Sequence, residues 1–191
     1  MNSEEQDLSI NSILSNILKN YKEDKLKPFS SEQQVYQDFE SIVSPLETLS
    51  HKINPNIKVK KSVGLGNWAT IPWISFLDKR ETHTTQDGVY IVILFCADLS
   101  GFYISFAHGI TKPKERLGKI GAYKYFDELK NQIRKSYRRE LLEYIEEKNK
   151  IDLKSNIRLA KDYERGSFAY KFFSTSDVNN NNNNITEHIS K

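Results

Sequence analysis

Residues 89–97 read Val-Tyr-Ile-Val-Ile-Leu-Phe-Cys-Ala, and Asp98-Leu99-Ser100-Gly101 separates them from Phe102–His108, FYISFAH. A nine-residue run rich in β-branched and aromatic side chains, too short for a buried helix, reads as a strand. The polar, glycine-ended segment after it turns the chain back into a second strand, a hairpin. A strand with so little polar alternation belongs where both faces are covered, near the centre of a sheet. Upstream, Ile57 to Val63 alternates apolar residues with lysine, and Ala69 to Leu77 contains IPWISFL. Asn54-Pro55-Asn56 and Gln86-Asp87-Gly88 punctuate the strand starts. Four strands with short connections predict a mainly antiparallel sheet over residues 57–110.

Outward from the sheet the hydrophobic period changes to that of a helix. Leu8, Ile10, Ile13, Leu14, Ile17, Leu18 and Tyr21 form one apolar stripe, predicting a helix over Leu8–Lys22. Ser30 and Ser31, with Gln33 and Gln34 three residues on, read as a capping box for a second helix with Val35, Tyr36, Phe39, Ile42 and Val43 inward. Ser44-Pro45-Leu46-Glu47 reads as the start of a fresh short helix. The helical region thus covers residues 8–52. After the sheet, a long helix is expected over 119–148, with Tyr123, Phe126, Leu129, Ile133, Tyr137 and Leu141 inward. Lys130, Arg134 and Arg138 make a basic stripe along it, four residues apart. The aromatic segment 157–173 should pack back onto the sheet. The fold class is therefore α+β, one domain over 1–175, with 176–191 expected as a disordered asparagine-rich tail or linker.

Composition narrows the function. The chain has 191 residues, 38% hydrophobic and 28% charged, with one cysteine. No run of 18 apolar residues exists, which excludes a transmembrane helix. The acidic N-terminus lacks a hydrophobic signal region, and the lone Cys96 permits no intrachain disulfide, so a cytoplasmic location is expected. The net charge of +3 hides an asymmetry. Residues 1–50 carry 4 basic and 9 acidic side chains, whereas residues 112–139 carry 10 basic and 3 acidic. That polarity fits a basic face for nucleic acid, and equally a solvated helix surface without a partner.

The motifs argue against catalysis. Gly64-Leu65-Gly66 lacks the third glycine of a dinucleotide fingerprint, and no P-loop lysine follows it. The four histidines make neither HxH nor HExxH, and Asp78-Lys79-Arg80-Glu81 lacks nuclease spacing. No cofactor and no metal are expected. Trp68 and Trp73 read either as core residues or as a wall on which bases stack.

In its order of rare residues, VGLGNWATIPWISFLD followed by QDGVYIVILFCADLSGFYISFAHGIT resembles the N-terminal domain of McrB-type modification-dependent restriction proteins. The resemblance runs strongly over residues 59–114 and more loosely over the helices and Tyr163-Glu164-Arg165-Gly166-Ser167. It implies a type IV restriction module, active in phage defence, that recognises modified duplex DNA. The best-known relative extrudes 5-methylcytosine into a pocket. On that pattern Trp73 and Leu94 line the pocket and Tyr90 lies near its rim. The wedge loop would be Gly64, Leu65, Gly66, Asn67 and Trp68, with Leu65 standing where the relative has an aromatic residue. Lys58, Lys60, Lys61, Lys112, Lys114 and Arg116 are candidate phosphate contacts. The chain would be a binding module, with nuclease and GTP-hydrolysing motor activities in other domains or partner subunits. Two other readings stay open: a single-strand DNA- or RNA-binding module that uses both tryptophans as a stacking platform, and a structural protein-interaction domain.

Overall fold

The computed structural model describes residues 3–144, 150–179 and 185–190. Five strands, β1 (Ile57–Gly64), β2 (Trp68–Asp78), β3 (Val89–Phe95), β4 (Gly101–His108) and β5 (Ser167–Ser174), form one antiparallel sheet in the order of the chain. The apolar run β3 is its central strand, and the fold is α+β. Aromatic-rich β5 is a fifth strand within the segment expected only to pack against the sheet.

Strand parity assigns the faces, because successive side chains point to opposite sides. Val59, Ile74, Phe76, Ile93, Phe95, Phe102 and Phe173 face α1 (Ser3–Asp24), α2 (Gln34–Ser41) and α3 (Val43–His51). Ile10, Leu14 and Ile17 of α1, with Phe39 of α2, complete this main core and are fully buried. On the opposite face Ile71, Val92, Leu94 and Ala107 pack against Ile151, Leu153 and Ala160. Ala160 belongs to α5 (Arg158–Gly166).

Several sequence expectations change. Gln33, not a serine, caps α2, and its side chain makes no cap hydrogen bond. α3 starts at Val43, ahead of the Ser44-Pro45 signal, because Ile42 keeps helical dihedral angles between the two helices. The long helix α4 spans Thr111–Ser136 rather than 119–148; it is broken at Gly118 (φ 66°), and a 3-10 turn follows at Leu142–Tyr144. Tyr123, Phe126, Leu129 and Ile133 do pack inward, but Tyr137 is exposed. Where a disordered tail was expected, Thr175–Asn179 and Ile185–Ser190 form the short helices α6 and α7. Val178, Ile185 and Ile189 drop into the main core. The asparagines 180–184 lie outside the described residues, as do 145–149 of the expected long helix.

Candidate nucleic-acid interface

Trp73 and Leu94 are direct neighbours across the β2–β3 ladder, and Tyr90 lies four residues from Leu94 on the same face of β3. All three line one pocket of about 90 Å³. The floor is the sheet face opposite α1–α3. Leu159 and Tyr163 of α5 form one wall, and Thr85, Gln86 and Thr111 form the rim. Trp73 and Tyr163 pack in the same cluster and line the pocket together. The Tyr90 hydroxyl donates to the Thr85 carbonyl at 2.9 Å, which ties the floor to the rim.

Burial pushes the hydroxyls of Tyr90 and Tyr163 above the usual tyrosine range, so both stay neutral at physiological pH. No carboxylate, lysine or arginine lines the pocket among the described residues. Such a cavity suits a neutral planar ring, held by stacking and by a few hydrogen bonds, better than an anion. Among the described residues no group of three or more histidine, cysteine, aspartate or glutamate side chains could hold a metal ion. None of the described helices is long and apolar enough to cross a membrane.

The loop over the pocket is tightly tied. Thr82 Oγ1 lies 2.9 Å from the carbonyls of both Thr84 and Asp87, between which its single hydrogen is shared, and Lys112 N–H donates to the Gln86 carbonyl at 2.9 Å. Lys60 reaches the His83 carbonyl at 2.8 Å. The rim is thereby joined both to the edge strand β1 and to the start of α4.

At the β1–β2 turn Leu65 is 98% exposed, between Gly64 (φ 111°) and Gly66 (φ 73°). Only glycine tolerates the Gly64 backbone, because a Cβ there would run into the Asn67 carbonyl. Trp68 is not part of the exposed loop. Its ring packs against Tyr21 and Phe29, and its indole N–H donates to the Lys27 carbonyl at 3.1 Å. Trp68 and Trp73 therefore face opposite sides of the sheet, and no single stacking platform contains both.

The candidate phosphate contacts separate into two groups. Lys58 and Lys60 share the pocket's face of the sheet; Lys58 pairs with Glu47 at 3.1 Å. Lys112 pairs with the exposed Glu115, and Arg116 with the half-buried Asp87. Lys61 instead points toward α2, paired with Glu40 at 2.7 Å and set 4.1 Å over the Tyr36 ring. Lys114 is bound to the buried Asp162, which also accepts from Tyr123 at 2.5 Å. This second group ties elements of the fold together.

The sequence profile of the MrcB-like N-terminal domain matches residues 16–190, nearly the whole chain. The chain belongs to that family. A curated relative, the type IV methyl-directed restriction enzyme EcoKMcrB subunit of Escherichia coli (strain K12), is 38% identical over 60 residues. The match covers 31% of this chain and 12% of that protein. For this MrcB-like domain the pocket residues missed by sequence reading are Leu159 and Tyr163 on α5 and Thr85 and Gln86 on the rim. The Tyr163-Glu164-Arg165-Gly166 string was a signal for α5, without a hint of which side chain enters the pocket.

Proposed function

We propose that this MrcB-like domain recognises modified duplex DNA, with 5-methylcytosine the first candidate, by taking one extruded base into the pocket over Trp73, Tyr90 and Leu94. The observation that carries this reading is the convergence of those three residues, with His108, in one pocket lined by no carboxylate, lysine or arginine among the described residues, beside a sheet whose glycine-flanked turn holds Leu65 almost wholly in solvent. Leu65 is the apolar wedge that fills the vacated stack. Lys58, Lys60, Lys112 and Arg116, which are themselves exposed, hold phosphates that position the duplex. The cutting and nucleotide-hydrolysing steps are assigned to other domains or subunits of a restriction system, in keeping with the relative's description as one subunit of a methyl-directed enzyme.

Magnitudes say what such a pocket must do. Extruding a base costs a few kcal/mol, which stacking at about 1–3 kcal/mol per base and hydrogen bonds must offset. A buried C5 methyl contributes roughly 0.8 kcal/mol, about fourfold in affinity. Larger discrimination requires the unmodified base to leave a void as well. The cavity of about 90 Å³ is smaller than the roughly 150 Å³ that admits a benzene ring. Entry therefore requires the rim to yield, and Leu159, 45% exposed, and the exposed Gln86 are its loosest members.

The test is binding to one short duplex in three forms, unmodified, 5-methylcytosine and N6-methyladenine, at two salt concentrations. Preference for one modified form supports the reading and names the base. Equal binding to all three, or tighter binding to single strands, contradicts it.

A further inference from the structure

Lys130 on α4 is partly buried, and among the described residues its ammonium group has neither a hydrogen bond nor an ion pair. Its charged neighbours are Arg134 on the next turn of α4, Arg165 on α5, and Asp127. Asp127 is already paired with Arg165. Arg134 uses its Nε–H on the Phe168 carbonyl of β5 at 2.6 Å, and its other guanidinium hydrogens make no further hydrogen bond among the described residues. Among those residues three cations thus share one carboxylate where α4 packs against α5 and β5. Desolvation first, and then the two arginines, hold the Lys130 ammonium down at about 8. A charge removed from water beside like charges destabilises the fold unless a ligand of opposite sign joins it.

Helix α5 carries Leu159 and Tyr163 into the pocket wall and, from its other side, Arg165 toward Asp127 on α4. The Arg134 guanidinium lies 6.0 Å from the Tyr170 ring, and Tyr170 packs in the same cluster as Val92 and Leu94. A duplex that places a base in the pocket and passes across α5 meets these cations.

We propose that Lys130, Arg134 and Arg165 form a phosphodiester-binding site that holds the DNA backbone beside the extruded base. The inference rests on the proposed reading of duplex DNA as the ligand. A guanidinium fork with free hydrogens and a compact ammonium group together match a phosphate's several acceptor oxygens. The site positions the duplex and carries no base preference.

The experiment compares the full chain with Lys130→Gln on unmodified and 5-methylcytosine duplexes between roughly 50 and 200 mM salt. Loss of one phosphate contact lowers the slope of log affinity against log salt by about 0.9, equally on both duplexes, and leaves their affinity ratio unchanged. The thermal midpoint should not fall, since an unpaired, partly buried charge is removed. If Lys130→Gln misfolds, Arg165→Gln takes its place with the same expected change of slope. An unchanged slope in a folded variant overturns this site, while the base pocket stands if wild type still prefers the modified duplex. A lowered slope without any preference for modified DNA keeps the site and overturns the base-pocket reading. Absence of duplex binding by wild type overturns both.

Discussion

Trp73 of β2 and Tyr163 of α5 pack in one cluster and line the same pocket, so the floor of the pocket and its α5 wall hold each other in place. Trp73→Ala removes the stacking surface and is expected to lower affinity for the modified duplex by about 1–3 kcal/mol, roughly 5- to 150-fold. Weak salt-sensitive binding to unmodified duplex should remain. Tyr163→Phe keeps the ring and removes only the hydroxyl, so its loss should be smaller, about 1 kcal/mol. Binding isotherms on matched duplexes, with circular dichroism to confirm folding, check both. A folded Trp73→Ala with undiminished preference would rule out the pocket assignment.

Leu65 makes its own prediction because it contributes almost nothing to the fold. Leu65→Ala should shift stability by no more than about 0.5 kcal/mol, as surface substitutions do. It should weaken binding to a fully paired duplex and spare binding to one in which the target base is mismatched, where less unstacking is required. Equal losses on both substrates count against a wedge. Gly64→Ala is expected to behave oppositely and to destabilise the domain by about 1–3 kcal/mol in thermal melts, since its φ of 111° and the Asn67 carbonyl leave no room for a Cβ.

Asp38 is expected to lower stability at neutral pH. Its carboxyl accepts from Gln34 at 2.9 Å through Oδ1, while the buried Oδ2 has no partner among the described residues. Burial, with Asp24 nearby, raises it above the ordinary 3.8. Above the raised value the folded state carries a penalised carboxylate, and that penalty disappears as pH falls through it toward the ordinary value. Asp38→Asn should therefore be the more stable protein at pH 7, by on the order of 1 kcal/mol or about 2–4 °C in Tm. Its advantage should shrink to nothing below about pH 4. Paired melts at the two pH values measure the difference, and a constant or reversed difference contradicts the assignment.

The sheet was legible because β3 is apolar on both faces and its turns carry glycine, aspartate and asparagine. β5 was not read as a strand, since its aromatic string SFAYKFFS follows α5 without a turn signal. The ends of α4 misled for a definite reason. Tyr137 and Leu141 continue the helical spacing of Ile133, yet the helix stops at Ser136 and its first turns lie before Gly118. In the tail, the asparagines around Val178 and Ile185 masked two isolated apolar anchors that only tertiary contact brings into the core.

The candidate site divides in the same way. Trp73 and Leu94 could be placed together because the two strands are consecutive and both positions fall on one face. The five-residue spacing of Trp68 and Trp73, an odd number, already implied opposite faces of a strand. Leu159, Tyr163 and the cations around Lys130 depend on how α4 and α5 dock, which no local pattern encodes. Charge alone also failed to separate Lys58 and Lys60, beside the pocket, from Lys61 and Lys114, which are bound to Glu40 and Asp162.

The central claim, that a modified base lodges against Trp73, is tested most directly by the fluorescence of that residue. Trp68→Phe, a conservative change in the packed ring cluster of Tyr21 and Phe29, leaves Trp73 as the sole tryptophan. Titration with the 5-methylcytosine duplex should then change Trp73 emission saturably, in step with binding, and the unmodified duplex should change it far less at equal occupancy. Saturated binding of the modified duplex with unchanged Trp73 emission would contradict the account.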